Sequence, residues 1–84
     1  MTEICVMEGL LNKIDDIVRA FERAGSATEC FALLRECHLA LEECVRVGRS
    51  NAADVAVQEK VISARSRLIK LGNDIAIKLK ERSF

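Results

Sequence analysis

Apolar residues recur every three or four positions along three stretches of the chain, a period that places them on one face of an α-helix. The first stretch covers residues 3–24 and carries on that face Met7, Leu10, Ile14, Ile17, Phe21 and Ala24. Gly25 then gives this helix a C-terminal stop. Ser26, with Glu29 three residues later, has the spacing of a capping box, so a second helix is predicted to begin at Ala27.

The second stretch, residues 27–47, is apolar over nearly two thirds of its circumference. Its central row is Cys30, Leu34, Cys37, Leu41 and Cys44, with further apolar residues on both sides. A helix of this kind must be covered on two sides. Gly48 is predicted to end it, and Ser50 or Asn51 to cap the next helix, with Asp54 in the first turn complementing the helix dipole.

The third stretch, residues 52–82, keeps its apolar phase through Gly72, which predicts one continuous helix. Such a helix is about 46 Å long, against about 30 Å for each of the others. Reversal of the chain at residues 48–51 places Ala27 opposite Gly72. The end of the third helix is then expected to project beyond the other two, with Ile75, Ile77 and Leu79 uncovered.

The fold class that follows is all-α: an antiparallel three-helix bundle, or a long helical hairpin with an extra N-terminal helix. The connections are short, so consecutive helices are antiparallel neighbours. The sequence has 84 residues and no Pro, which suits one helical domain over residues 1–84. A domain this small buries a modest core, and we expect oligomerisation to complete it.

Charge argues against a general affinity for nucleic acid or anionic membranes, because 13 basic residues balance 13 acidic ones. The charges are uneven, with an acidic first helix and a basic third helix that are expected to attract each other. Arg65 and Arg67 are candidate phosphate contacts, although aromatic residues for base stacking are few. The chain has no membrane-spanning stretch and no basic secretory leader, so we expect a cytoplasmic protein with reduced cysteines.

Cys30, Cys37 and Cys44 lie seven residues apart, with His38 among them. Seven helical residues rise about 10.5 Å, too far for a disulfide or for two ligands of one zinc ion. The spacing is that of a heptad, in which Cys serves as a small hydrophobe. A metal-thiolate site assembled across helices or between copies is the alternative. Cys5 is the one partner expected near the level of Cys44, but it shares a polar face.

Catalytic signatures are few. His38 and Glu42 are four residues apart and resemble a surface pair, whereas Asp15 and Asp16 are adjacent and diverge. The sequence contains neither a Gly-rich phosphate loop nor a nucleophile elbow. We therefore predict no enzyme, no cofactor, no metal and no small-molecule substrate.

The surplus of apolar helix surface predicts an interface with a protein partner or a second copy of the chain. The candidate interface residues are Phe31, His38 and Val45 on the second helix and Ile75, Ile77 and Leu79 on the third. On this hypothesis, Ile77→Asp keeps its helicity but loses association. A homodimeric bundle with a regulatory or nucleic-acid-binding role and a Cys-rich metal-binding protein are the alternatives.

The second and third helices also show a family resemblance. They are joined by the polar turn GRSNAAD, followed by Gln58 and the aliphatic arm VISARSRLIKLGNDIAI. This pattern resembles the helical hairpin of the small co-chaperones of type III secretion needle subunits and covers about 50 of the 84 residues. The extra N-terminal helix and the cysteine row depart from it. The resemblance implies a non-catalytic cytoplasmic protein bound to a helical-repeat chaperone and a needle-type subunit.

Overall fold

The fold was analysed in a computed structural model, which describes the backbone of residues 2–82 and the side chains of residues 5–81. Three helices account for the regular structure in this part of the chain: α1 (Thr2–Arg23), α2 (Ala27–Ser50) and α3 (Val55–Arg82). Each helix packs against the other two. The predicted all-α three-helix bundle is confirmed, including the continuity of α3 through Gly72.

One apolar core runs the length of the bundle, which measures 47 × 16 × 14 Å. Each helix contributes the face that its periodicity predicts, because residues spaced by three or four lie on one side of a helix. The buried residues are Met7, Leu10, Ile14, Ile17, Ala24, Cys30, Cys37, Ala40, Cys44, Val47, Val57, Val61, Ala64, Leu68, Leu71, Ile75 and Leu79. The core is therefore built from aliphatic residues and cysteines.

The start of α2 has the predicted capping box. The hydroxyl oxygen of Ser26 accepts a hydrogen bond from the amide of Glu29 at 3.2 Å. The Glu29 carboxylate in turn accepts hydrogen bonds from the Ser26 hydroxyl at 3.1 Å and from the amide of Gly25 at 3.3 Å. These contacts satisfy amides that the first turn of a helix leaves without a partner.

The turn between α2 and α3 differs from the prediction. The second helix continues through Gly48 to Ser50, because side chains satisfy its last carbonyl groups: Gln58 Nε2 donates to the carbonyl oxygens of Gly48 at 2.9 Å and Asn51 at 2.8 Å. Asp54 precedes α3 and accepts a hydrogen bond from the amide of Val57 at 3.2 Å, so it is the N-terminal cap that was assigned to Ser50 or Asn51.

The extra turn of α2 changes the register of the hairpin and removes the predicted overhang. A Cβ atom added to Gly72 lies 4.0 Å from Leu34 Cδ1. Because the two helices are antiparallel, a contact between Leu34 and Gly72 places Ala27 near the level of Leu79. The sequence had predicted that Ala27 lies opposite Gly72. Ile75 is 0% exposed and Leu79 is 7% exposed, so both belong to the core and their predicted exposure is wrong.

The first helix lies on one side of the α2–α3 hairpin and is held there partly by charge. Arg67 pairs with Asp15 at 2.5 Å and Lys13 with Glu36 at 3.5 Å. The first of these pairs joins α1 to α3, as the predicted attraction between the acidic and basic helices requires. Over the described residues, the structure contains no helix both long and apolar enough to cross a membrane.

Candidate interaction surface

A groove runs between α2 and α3 on the side of the hairpin that α1 leaves open. We call it the α2–α3 groove. It has a volume of about 380 Å³ and is lined by Leu34, Cys37, His38, Leu41, Leu68, Ile69, Gly72, Asn73 and Ala76. All of these residues come from α2 and α3. The groove therefore occupies the position that a fourth helix takes in a four-helix bundle.

The floor and walls of the groove are mostly apolar. Leu34 and Leu41 are half-buried and pack against the core, and Ile69 on the opposite wall is 51% exposed. Gly72 has no side chain, so the surface of α3 is recessed where it faces Leu34. Ala76 continues the same side of α3 one turn further on. Together these side chains form a continuous strip of hydrocarbon open to solvent.

Two rows of residues spaced by seven extend this strip along both helices. Phe31, His38 and Val45 form the row on α2, and Val55, Ile62, Ile69 and Ala76 form the row on α3. Phe31 and Ile62 are each 62% exposed. Exposed apolar residues that lie side by side on two packed helices are typical of an interface, whereas single exposed ones are common on any protein.

Three cations border the groove. Arg65 precedes Ile69 by four residues and Lys80 follows Ala76 by four, so both lie on the groove side of α3. On α2, Arg49 lines a shallow depression with Leu41 and Val45. All three cations are exposed, and none of them forms an ion pair among the described residues. Among the described residues, the border of the groove therefore carries three cations outside ion pairs, although Glu42 lines the same depression as Arg49.

The predicted interface residues fall into three groups. Phe31, His38 and Val45 all lie on the groove side of α2, with Val45 half-buried and the other two exposed. Ile77 is 58% exposed but does not line the groove. The remaining two, Ile75 and Leu79, are corrected to core residues because the register of the hairpin buries them.

Sequence reasoning missed the residues on α3 that face the groove. The interface predicted on the third helix consists of Ile75, Ile77 and Leu79 and does not include Ile62 or Ile69. The signal was present, because Val55, Ile62, Ile69 and Ala76 repeat at intervals of seven just as Phe31, His38 and Val45 do. Recognising a groove also required the register between the two helices, which the misplaced turn had shifted.

The cysteine row forms part of the core. Cys30, Cys37 and Cys44 are buried and free, as is expected of small hydrophobes in a heptad. Burial raises the pKa of the Cys37 thiol, and the neighbouring Glu36 carboxylate adds to the effect. The pKa of Cys44 is also raised, mainly by burial, although Arg65 partly opposes the increase. These thiols therefore stay protonated at neutral pH, a form that binds metals weakly.

Other candidate sites from the sequence do not converge. Among the described residues, no group of three or more His, Cys, Asp or Glu side chains is arranged to hold a metal ion. Cys5 is exposed whereas Cys44 is fully buried, and both thiols are free. His38 Nε2 lies 3.9 Å from a carboxylate oxygen of Glu42 on the open surface.

The two adjacent carboxylates on α1 diverge, as predicted. Asp15 pairs with Arg67 of α3, whereas Asp16 pairs with Arg19 of its own helix at 2.5 Å. Two carboxylates that share a proton or an attacking water must converge on one point. This pair instead helps to hold α1 against α3.

A second depression lies between α1 and α2 and includes the exposed residues Val6 and Leu39. Its walls are more polar, because they also carry Lys13, Glu43 and Arg46. The cations there have partners: Lys13 pairs with Glu36, and Arg46 pairs with Glu43. This depression is therefore a weaker candidate for an interface than the α2–α3 groove.

Comparison with known proteins found no match. No protein-family model matches the sequence. Searches of the curated proteins and of the solved structures likewise gave no significant match.

Proposed function

We propose that this protein is a non-enzymatic interaction module that binds a helix of a partner protein in the α2–α3 groove. The observation that carries the proposal is the open fourth-helix position, where Leu34, Leu41 and Ile69 present a continuous apolar surface. Helix-in-groove recognition uses such a surface, because an amphipathic helix buries its apolar face there. An adaptor or a co-chaperone is the class of protein that works in this way.

The size of the groove suits a helix. The α2 row from Phe31 to Val45 spans about 21 Å, so a partner helix of about 14 residues covers it. Its apolar residues are expected at spacings of three and four, matching the intervals of seven on both walls. Covering an exposed Ile side chain completely contributes about 1.5–3 kcal/mol, which makes Ile62 and Ile69 the expected energetic centre of the α3 wall.

A role as a co-chaperone in bacterial protein secretion is the narrower form of this proposal. It rests on the resemblance of the α2–α3 hairpin to the co-chaperones of type III secretion needle subunits. One shared feature, the Gln after the turn, has a structural purpose here, since Gln58 closes the end of α2. The hairpin and its open face support the narrower role, and the extra helix α1 sets this chain apart.

Site-specific photo-crosslinking tests the proposal. A photoreactive amino acid replaces Ile69 in the groove or, as a matched control, Lys70, which is exposed, lies about 100° further round α3 and does not line the groove. In cells that naturally produce the protein, we expect a discrete adduct with another protein from position 69 and none from position 70. Adducts of equal yield at both positions, or no adduct at position 69, contradict the proposal. An adduct with the mass of two copies contradicts the assignment of a separate partner.

A further inference from the structure

Some cations of this protein lie beside α1, and others border the α2–α3 groove. On the side of α1, three cations have partners: Arg67 pairs with Asp15, Lys13 pairs with Glu36, and Lys78 donates to main-chain carbonyl groups. On the open side, Arg49, Arg65 and Lys80 have no ion-pair partner among the described residues. Unpaired cations also occur elsewhere among the described residues, as at Lys60 and Lys70, so what distinguishes the groove is that its three cations border an apolar strip.

From the cations that border this apolar strip we infer that the α2–α3 groove binds an amphipathic helix whose apolar stripe is flanked by Asp and Glu, supplied by a different protein. This inference rests on the proposed function and specifies its partner. A helix with acidic flanks does on the open side what α1 does on the other side, where Asp15 meets Arg67 and apolar residues fill the core. The partner is therefore expected to resemble α1 in pattern.

Acidic residues of this chain do little to neutralise the border of the groove. Glu42 lines the same depression on α2 as Arg49, but its carboxylate lies beside His38 at 3.9 Å and forms no ion pair with Arg49. The charge of Arg65 reaches across to α2, where it lowers the pKa of the Cys44 thiol against the larger effect of burial. A carboxylate brought in by a partner above Arg65 therefore meets an uncompensated positive charge near low-dielectric hydrocarbon.

A second copy of the chain fits this surface less well. A symmetric dimer joins the same surface of both copies, so each groove brings the same border to the interface. Arg49, Arg65 and Lys80 of one copy then face a surface with the same excess of cations, and like charges brought together in an interface oppose association. The apolar residues alone favour a dimer, but the charges around them do not.

Nucleic acid is also a poorer match, although its phosphates are anionic. The cations border a strip made of Leu34, Leu41 and Ile69, which a phosphate backbone does not cover. Stacking of bases requires exposed aromatic side chains, and among the described residues Phe31 alone supplies one on this face. An acidic amphipathic helix uses both the hydrocarbon and the charges.

Two synthetic peptides of about 20 residues test the inference. Both carry Leu at the a and d positions of a heptad repeat, and they differ only at the flanking positions, which hold Glu in one peptide and Lys in the other. Binding of each fluorescently labelled peptide to the full chain is measured by anisotropy at low and high salt. We expect the Glu peptide to bind at least about tenfold more tightly than the Lys peptide, and salt to reduce the difference.

A charge-reversal pair identifies the cation responsible. Arg65→Glu is expected to weaken binding of the Glu peptide about tenfold, because a like charge replaces an attractive one. Lys70→Glu makes the same kind of charge change on the same helix but away from the groove, and it is expected to leave binding unchanged. Circular dichroism of both variants shows whether the fold is intact. Equal effects of the two substitutions overturn the inference.

The outcomes separate the inference from the proposed function. If both peptides bind equally and Ile69→Asp abolishes binding of both, the groove binds helices but the acidic partner is wrong. If neither peptide binds and light scattering shows a dimer of the chain, a second copy covers the groove and the inference is wrong. If neither binds and the chain is monomeric, both the inference and the proposed function fail. Tighter binding of an oligonucleotide than of the Glu peptide also overturns the inference.

Discussion

Lys78 near the end of α3 donates a hydrogen bond to the main-chain carbonyl oxygen of Ala24 at 2.9 Å, just beyond the end of α1. The same ammonium group donates to the carbonyl oxygen of Phe21 at 3.3 Å and lies 4.8 Å from the centre of its ring. One side chain thus binds two carbonyl groups at the end of α1, of which that of Phe21 also accepts a hydrogen bond from the amide of Ala24 at 3.1 Å. The contact also shows that the last turns of α3 belong to the bundle.

Replacement of Lys78 by Met is expected to lower the free energy of unfolding by about 1–2 kcal/mol. The substitution keeps most of the hydrocarbon but removes the charge and both hydrogen bonds to the end of α1. Urea denaturation followed by circular dichroism measures the effect. The matched control is Lys80→Met, because Lys80 is exposed and forms no ion pair with a described residue. A loss of stability as large in the control contradicts the capping role of Lys78.

The corrected register of the hairpin predicts opposite results for two neighbouring Ile residues. Ile75 is fully buried, so Ile75→Ala is expected to cost about 2–4 kcal/mol of stability through lost burial and the cavity left behind. Ile77 is largely exposed, so Ile77→Ala is expected to change stability by less than about 0.5 kcal/mol. Thermal or urea unfolding of both variants measures this. If both substitutions change stability by similarly small amounts, the end of α3 projects beyond the bundle and the corrected register is wrong.

Much of this fold is encoded by local patterns, which is why the sequence predicts it well. The three helices follow from apolar spacing, and the start of α2 follows from Ser26 and Glu29, which contact each other within one turn. The end of α2 was mispredicted because the contact that stabilises it is not local. Gln58 reaches back ten residues to the carbonyl of Gly48, and no rule of spacing identifies that contact.

The candidate site depended on this same turn. If α2 ends too early, the hairpin register shifts and Ile75 and Leu79 are left uncovered. For that reason, the sequence placed part of the predicted interface at the end of α3. With the true register, the exposed apolar surface lies along the middle of the hairpin, where Ile69 faces the side of α2 that carries His38. The apolar periodicity of the sequence was enough to predict the residues that α2 contributes to this surface, because α2 is apolar on two sides.

Glycines inside the helices offer a way to stabilise the protein. Gly9 lies within α1, and a Cβ atom added there meets no other atom within 4 Å. Gly9→Ala is therefore expected to raise the free energy of unfolding by about 0.5–1 kcal/mol, because Ala favours the helix without a clash. Thermal unfolding measures the increase.

Gly48→Ala is the comparison for Gly9→Ala. Its added Cβ lies 3.4 Å from Val61 Cγ1, within the packed hairpin, so we expect a smaller gain. A loss of stability in Gly9→Ala contradicts the helical placement of Gly9.

The buried thiols predict how stability depends on pH. The pKa values of Cys37 and Cys44 are raised in the folded protein, mainly because burial disfavours the thiolate. A raised folded-state pKa means that the stabilising contribution is complete below the ordinary thiol pKa of about 8.5 and is lost as the pH rises above it. We therefore expect urea midpoints to be constant from about pH 7 to 8 and to fall towards pH 10.

The double variant Cys37→Ala/Cys44→Ala is the control for this effect. It is expected to be less stable than the natural chain at neutral pH but less sensitive to alkaline pH, because the two titrating groups are gone. The lysine side chains titrate in both proteins and cancel in the comparison. An equal decline of both proteins between about pH 8 and 10 shows that the thiols are not the cause.

The most direct test of the central claim is to locate the bound helix on the protein by methyl NMR. The chain is labelled at its Ile, Leu and Val methyl groups, and the peptide with Leu at the a and d positions and Glu at the flanks is titrated to saturation. We expect the largest shifts at Leu34, Leu41 and Ile69. Little change is expected at Val6 of α1 and Leu39 of α2, which line the depression between those two helices. The largest shifts at Val6 and Leu39, or no shifts at the three groove residues, contradict the α2–α3 groove as the interaction surface.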